Sequence, residues 1–254
     1  MTGLEQLAVV SAGFGAGILT STVGVASLLS FPVLVAVGLP PVVANASNTV
    51  GMTPAGLSGS FGYRRELSEF PRITAMVVAT CMVGSIVGAT LLLALPPGVF
   101  EAVVPWLILF TCVLVGAQPR ISSWLRRRHG TDVAHQRTSM SPIVTIFAAL
   151  TGVYGGYFGA GSGVMMMAVL GLGLDIHLRV INALKTLAVL AANLIAALIF
   201  IFAAPLNWAA VAALATGSVV GGYVGSHIGR RLPPALFRTL IVAVGVTASL
   251  MMLL

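Results

Sequence analysis

Positions 137 residues apart match again and again along this chain. Asn45-Ala46 recurs as Asn182-Ala183, Thr49 as Thr186, Gly84 and Gly88 as Gly221 and Gly225, and Leu95-Pro96-Pro97 with Phe100 as Leu232-Pro233-Pro234 with Phe237. A chain built twice over is expected to fold as two copies of one unit. The basic residues break the match in an informative way. Arg64-Arg65 follow the third apolar segment of the first copy, whereas the matching stretch around Phe202 is uncharged. Arg230-Arg231 follow the fourth segment of the second copy, whereas the matching Leu93-Ala94 is uncharged. If Lys and Arg mark the cytoplasmic side of a membrane, the two copies lie upside down relative to each other. Inverted repeats with a site at their interface are a recurring transporter architecture.

That reading requires lipid as the solvent, and the composition supplies it: 58% of residues are hydrophobic and only 7% charged, with a mean hydropathy of +1.05. A soluble domain does not look like this. The net charge of +7 does not indicate nucleic acid, because twelve of the thirteen basic residues fall in or beside short links between apolar runs, where they act as orientation signals. Met1 to Gln6 lacks the basic region of a secretory signal, so the first apolar run is expected to stay in the mature protein. Cys81 and Cys112 stand alone inside apolar segments and read as packing residues, with no spacing for a metal and no cofactor motif.

Pro, Gly and Arg divide the apolar runs into ten helical segments, 4–20, 25–38, 42–62, 71–94, 99–118, 141–158, 164–174, 179–203, 207–229 and 234–254. The expected fold is an all-α polytopic membrane protein. Two inverted repeats of about five segments, 1–118 and 141–254, flank a basic linker, 119–140. With that linker in the cytoplasm, every arginine lies at or near the cytoplasmic face and both termini face out. Segments 25–38 and 164–174 are too short to cross, reaching about 21 and 16 Å against a hydrocarbon core of about 30 Å. Each follows a break rich in glycine and hydroxyl groups, Thr20-Ser21-Thr22-Val23-Gly24 and Gly159-Ala160-Gly161-Ser162-Gly163. Each repeat is therefore expected to begin with a broken or re-entrant hairpin that turns near mid-membrane; the alternative is a kink in a tightly packed helix.

Hairpin tips aim the first free N–H groups of a short helix at the membrane centre, where the helix dipole favours an anion. Ser21, Thr22 and Ser162 add hydroxyl donors there. Lys185, the only lysine, sits inside an apolar helix about 9 Å beyond the Arg179 boundary. No Asp or Glu shares that depth. The lysine is either neutralised by a bound anion or snorkels to the cytoplasmic headgroups. Asn182 and Thr186 accompany it, and the repeat places Asn45 opposite Asn182 and Asn48 opposite Lys185. These asparagines read as substrate ligands or as ties between helices. The later glycines, Gly84/Gly88 and Gly221/Gly225/Gly229, read as packing positions. Ser162 and His227 do not form an intramembrane protease dyad, because that motif needs glycine where Ala160 stands. No catalytic residue and no metal ligand set is expected.

The chain resembles the sulfite exporter TauE/SafE family, also called the toluene sulfonate uptake permeases, over nearly its whole length. The resemblance rests on Gly13-Phe14-Gly15-Ala16-Gly17 and the glycines from Gly152 to Gly163, on Pro32, on Ala44-Asn45-Ala46 and Asn182-Ala183-Leu184-Lys185, and on the late glycine pairs followed by Leu-Pro-Pro. It departs from the family at Gly24-Val25-Ala26-Ser27, where adjacent glycines are usual. The resemblance implies transport of a small sulfur-containing anion such as sulfite, a sulfonate or thiosulfate across the bacterial inner membrane, so that outward-facing termini would be periplasmic. Export is the direction expected, because a cell that is negative inside expels anions. An anion channel and a non-transporting structural subunit are the rival readings. The packing glycines also permit a homodimer.

Overall fold

The structure, a computed structural model, describes residues 3–22, 25–61, 64–128, 139–228 and 234–253. Eleven helices and no strand occur among these residues. They are α1 Gly3–Thr22, α2 Ser27–Ala36, α3 Pro41–Phe61, α4 Arg64–Glu69, α5 Pro71–Ala94, α6 Pro97–Arg128, α7 Pro142–Tyr157, α8 Ser162–Gly173, α9 Leu178–Ala203, α10 Trp208–Ile228 and α11 Pro234–Leu253. Four of them, α1, α5, α6 and α9, are long and apolar enough to cross a membrane. Ten helices match the expected segments. The eleventh, α4, is a short turn on a link that the hydropathy pattern cannot see. A second difference is α6, which runs on through Pro119 to Arg128 instead of stopping at the proline. Losing one N–H from a long helix kinks it without ending it.

Local chemistry sets the boundaries. Proline opens α3, α5, α6, α7 and α11, where its missing N–H has no intrahelical partner to lose. Ser141 Oγ accepts from Val144 N (3.3 Å) and caps α7, and Asn207 Oδ1 accepts from Ala210 N (3.0 Å) to cap α10. The end of α2 is closed by Gly38 at φ +86°, with Gly38 N bonded to Val35 O (2.9 Å) and Leu39 N to Leu34 O (3.2 Å).

Helices in lipid gain nothing from hydrophobic burial against each other, so small residues that allow close packing decide which faces meet. Gly13 and Gly17 of α1 lie against Gly217 and Gly221 of α10, and Gly84 and Gly88 of α5 against Gly152 and Gly156 of α7. A β-carbon at Gly17 would strike the Ser218 carbonyl, and one at Gly88 the Val153 carbonyl. The packing role expected of Gly84, Gly88 and Gly221 is borne out; Gly229 lies outside the described residues. These two crossings are equivalent under the 137-residue shift, and so are α3 on α10 with α9 on α5, and α2 on α3 with α8 on α9. These three pairs of contacts thus recur under the shift.

Both short helices fold back on their predecessors. Gly15 of α1 abuts Leu29 of α2, and Gly173 at the end of α8 abuts Val144 at the start of α7. A kink in one continuous helix would leave Val144 and Gly173 far apart, so α7 and α8 turn back on each other as a hairpin. The links sort into two ends. At one, Leu67, Phe70, Met140, Leu174 and Ile176 join a single apolar cluster, and Arg179 Nη2 donates to Glu69 Oε1 at 2.9 Å. At the other, Val37, Leu39, Leu93, Ala204 and Leu206 pack around Phe31, Phe100 and Phe200. Helices α5 and α9 run from the first end to the second.

Candidate functional site

The tip of the second hairpin is held by a dense set of hydrogen bonds. Gly159 and Gly161 adopt φ of +83° and +78°, a left-handed conformation costly for any residue with a β-carbon. Phe158 N and Gly159 N both bond to Tyr154 O at 3.0 Å, and Ser162 returns to Gly159 O through its N–H (3.2 Å) and its Oγ (2.8 Å). Tyr154 donates its hydroxyl to Ala160 O (2.6 Å), with the Thr111 hydroxyl of α6 2.8 Å from the phenol and 3.1 Å from the same carbonyl. Asn45 Nδ2 of α3 donates to Tyr157 O at 2.9 Å. Non-helical backbone buried in a membrane protein needs such partners, and here α3 and α6 add theirs to those of the hairpin itself.

An aromatic cluster packs over the same turn. Phe158 meets Phe31 of α2 edge-on with ring centroids 5.5 Å apart, and Tyr157 meets Phe100 of α6 at the same separation. Edge-to-face pairs of this kind add about 0.5–1.5 kcal/mol each beyond their burial. On the donor side, Val164 N and Met165 N turn back to Gly161 O (2.9 and 3.3 Å), and no side chain caps α8. Gly163 N–H finds no acceptor among the described residues.

Between this tip and α9 lies a cavity of only about 10 Å³, lined by Cys81, Thr151, Ser162, Ala188 and Ala192 among others. That is room for about one water. Lys185 precedes Ala188, Val189 and Ala192 by three, four and seven residues, so it shares their face of α9 one to two turns away. It is half-buried, and no hydrogen bond or ion pair joins its ammonium to any described residue.

The remaining expected residues divide. Asn45 and Asn48 are both buried to 1% exposure, and Ser30 Oγ donates to Asn48 Oδ1 at 2.5 Å. The bond to Tyr157 O fixes the orientation of the Asn45 amide, which leaves Oδ1 buried without a partner. Asn182 and Thr186 turn to their own helix, Asn182 Nδ2 to Leu178 O (3.1 Å) and Thr186 Oγ1 to Asn182 O (2.8 Å). Ser162 lines the small cavity. Ser21 and Thr22 fall in the last turn of α1 rather than in the break, and their side chains lie outside the described residues, as does that of His227. Lys185 and the Asn45–Asn48 pair are not joined by any hydrogen bond. Ser30, Thr111 and Tyr154 are the residues that sequence reasoning missed. Each is a lone hydroxyl in an apolar run, and only its partner across the fold distinguishes it from a side chain bonded to its own helix. No group of three or more metal-ligating side chains occurs among the described residues.

Residues 9–252 match the family model described as "Sulfite exporter TauE/SafE". The chain is 24% identical over 248 residues to a "Probable membrane transporter protein" of Haemophilus influenzae, covering 94% of this chain and 91% of that one. "Probable membrane transporter protein ORF9" of a Sinorhizobium species is 24% identical over 254 residues, covering 95% and 90%. "Probable membrane transporter protein YfcA" of Escherichia coli is 25% identical over 241 residues, covering 92% and 84%. No solved structure matches. With an all-helical fold, outward-facing apolar helices and a family match over nearly its whole length, this chain is a multi-pass membrane protein that belongs to the sulfite exporter TauE/SafE family of transporters.

Proposed function

We propose that the protein exports a small sulfur-containing anion, such as sulfite, a sulfonate or thiosulfate, across the bacterial inner membrane by alternating access between two inverted repeats. Lys185 carries this reading. It is the only lysine of the chain, it lies within an apolar helix, and no carboxylate among the described residues neutralises it. A cation so placed is a functional group by default, and a bound anion is the partner its surroundings lack. Its face of α9 leads to Ser162 and the Gly163 N–H at the second tip. In this proposal Lys185 supplies charge, Asn48, Asn182 and Thr186 supply hydrogen bonds, and the tips with Ser162, Ser21 and Thr22 supply donors. Asn45 contributes mainly by holding the second tip through Tyr157 O.

Inversion of the copies, 1–118 and 141–254 about the linker 119–140, is supported by where the links fall. Residues 37–40 and 174–177 are equivalent under the 137-residue shift, yet they pack into clusters at different ends of α9. The same is true of 204–207 and 67–70. Closure supports a carrier over an open channel, since the cavity beside the tip admits about one water. The proposal is tested by thermal-shift screening of the purified protein against sulfite, thiosulfate, sulfoacetate, taurine, sulfate and chloride. A rise in melting temperature confined to sulfur-containing anions is expected; equal responses to chloride and sulfite would favour a channel, and no response to any would favour a structural subunit.

A further inference from the structure

Beyond Pro119, α6 continues through residues 120–128 alongside the second half of α8. Gly171 makes this approach close, because a β-carbon there would collide with the Leu125 side chain. Beside the contact lies a groove of about 360 Å³ lined by Arg120, Ile121, Trp124, Leu125, Ala168 and Leu172. Leu125 forms a buried floor, whereas Trp124 and Leu172 are each 48% exposed, so the groove opens to the outside of the bundle. Its walls are apolar except for Arg120. That arginine, Trp124 and Arg127 recur at helical spacing on one exposed face of α6, with Arg126 beside them. None of the three arginines pairs with a carboxylate among the described residues.

We propose that this groove binds an anionic glycerophospholipid, its phosphate against Arg120 and one acyl chain along Ile121, Trp124, Ala168 and Leu172. The occupant follows from the chemistry. Apart from Arg120 the trough is apolar, and it is too open to stay dry, so it suits a hydrocarbon chain and not a free oxyanion. A guanidinium at its wall matches a phosphate in geometry as well as charge. Indole and basic side chains at the end of an apolar helix lie at headgroup depth, where basic pockets between helices select anionic lipids. A zwitterionic head would bring its own cation against Arg120, Arg126 and Arg127 and bind more weakly. The lipid would also brace α8, the returning arm of the second hairpin, from outside.

Trp124 is its own reporter. In the full-length protein carrying Trp106→Phe and Trp208→Phe, both at outward-facing positions, Trp124 fluorescence is titrated in mixed micelles with phosphatidylglycerol or phosphatidylcholine brominated in the acyl chains. Saturable quenching is expected, with half-saturation at least threefold lower for phosphatidylglycerol. Arg120→Gln, an exposed substitution whose folding is checked by circular dichroism, should erase that preference, and Ala168→Phe should remove the saturable phase for both lipids by filling the groove. Equal quenching by the two lipids, a preference that survives Arg120→Gln, or quenching that only rises in proportion to lipid would each overturn the proposal. The last would mean a groove covered by the protein's own chain or by unselected lipid.

Discussion

Lys185 and Asn48 occupy equivalent positions in the two copies, yet Asn48 is locked by Ser30 while no described residue bonds the Lys185 ammonium. The difference follows from their charges, since a neutral amide can be satisfied by one hydroxyl and an ammonium in an apolar helix cannot. Lys185→Gln is therefore expected to leave the protein folded, because it removes no described contact, and to weaken binding of the preferred anion at least tenfold, or about 1.4 kcal/mol. Isothermal titration of the purified variant checks this, and unchanged affinity would mean that the lysine merely snorkels to the headgroups. Asn45 has the opposite character. Its Nδ2 holds the Tyr157 carbonyl, and ties of this kind between membrane helices contribute about 0.6–2 kcal/mol. Asn45→Ala should speed hydrogen exchange at residues 158–163 by roughly the matching factor, about 3- to 30-fold, while leaving the α5–α7 crossing protected. The lone lysine and the asparagine patch are legible in the sequence because charge and polarity are conspicuous in an apolar run. Which partner each takes is not legible: Asn45 and Asn182 are the same residue at equivalent positions, and one bonds across the fold whereas the other bonds its own helix.

The helical elements are legible because each carries its own punctuation, proline at five helix starts and glycine at the turns. Pro119 and the link at 64–69 are the exceptions, where a single residue or a short amphiphilic stretch does not outweigh its tertiary setting. Two helix crossings carry the close packing of the bundle, and neighbouring glycines of α10 separate their roles. A β-carbon at Gly221 would meet the backbone of Phe14, whereas one at Gly222 meets nothing within 4 Å. Gly221→Ala should therefore destabilise by about 1–3 kcal/mol through overpacking against backbone that cannot yield. Gly222→Ala should be neutral or gain up to about 1 kcal/mol from helix propensity. Thermal midpoints of the two variants in the same detergent decide the matter; similar midpoints would mean that the α1–α10 crossing is not set by these glycines. The glycine spacing is visible in the sequence, but the pairing of α1 with α10 rather than with a nearer helix is a property of the assembled copies.

At the scale of the whole molecule, the proposal that the basic end faces the cytoplasm rests on the arginines gathered where residues 67–70 meet 174–179. On a background lacking Cys81 and Cys112, Gly98→Cys should react in intact cells with a membrane-impermeant thiol reagent and Thr131→Cys should not; the reverse pattern would turn the molecule over. The same view of the chain bears on what drives transport. All six carboxylates, Glu5, Glu66, Glu69, Glu101, Asp132 and Asp175, fall at termini, links or helix ends, and Glu69 is already paired with Arg179. On the topology proposed above, none of the carboxylates lies in the interior of a spanning segment, so the proposed transport is expected to need no coupled proton or sodium. The membrane voltage is then the expected driving force, and it acts on an anion at about 2.3 kcal/mol per charge per 100 mV. With about 1.4 kcal/mol per tenfold, a monoanion would be held near fiftyfold lower inside a cell that is negative within, and a dianion would gain twice that energy. In proteoliposomes clamped with potassium and valinomycin, anion flux should follow the imposed voltage and ignore a pH gradient. Flux that tracks the pH gradient and disregards voltage would place a proton on Lys185 or His227 during the cycle, and would make those bases, rather than the membrane field, the source of direction.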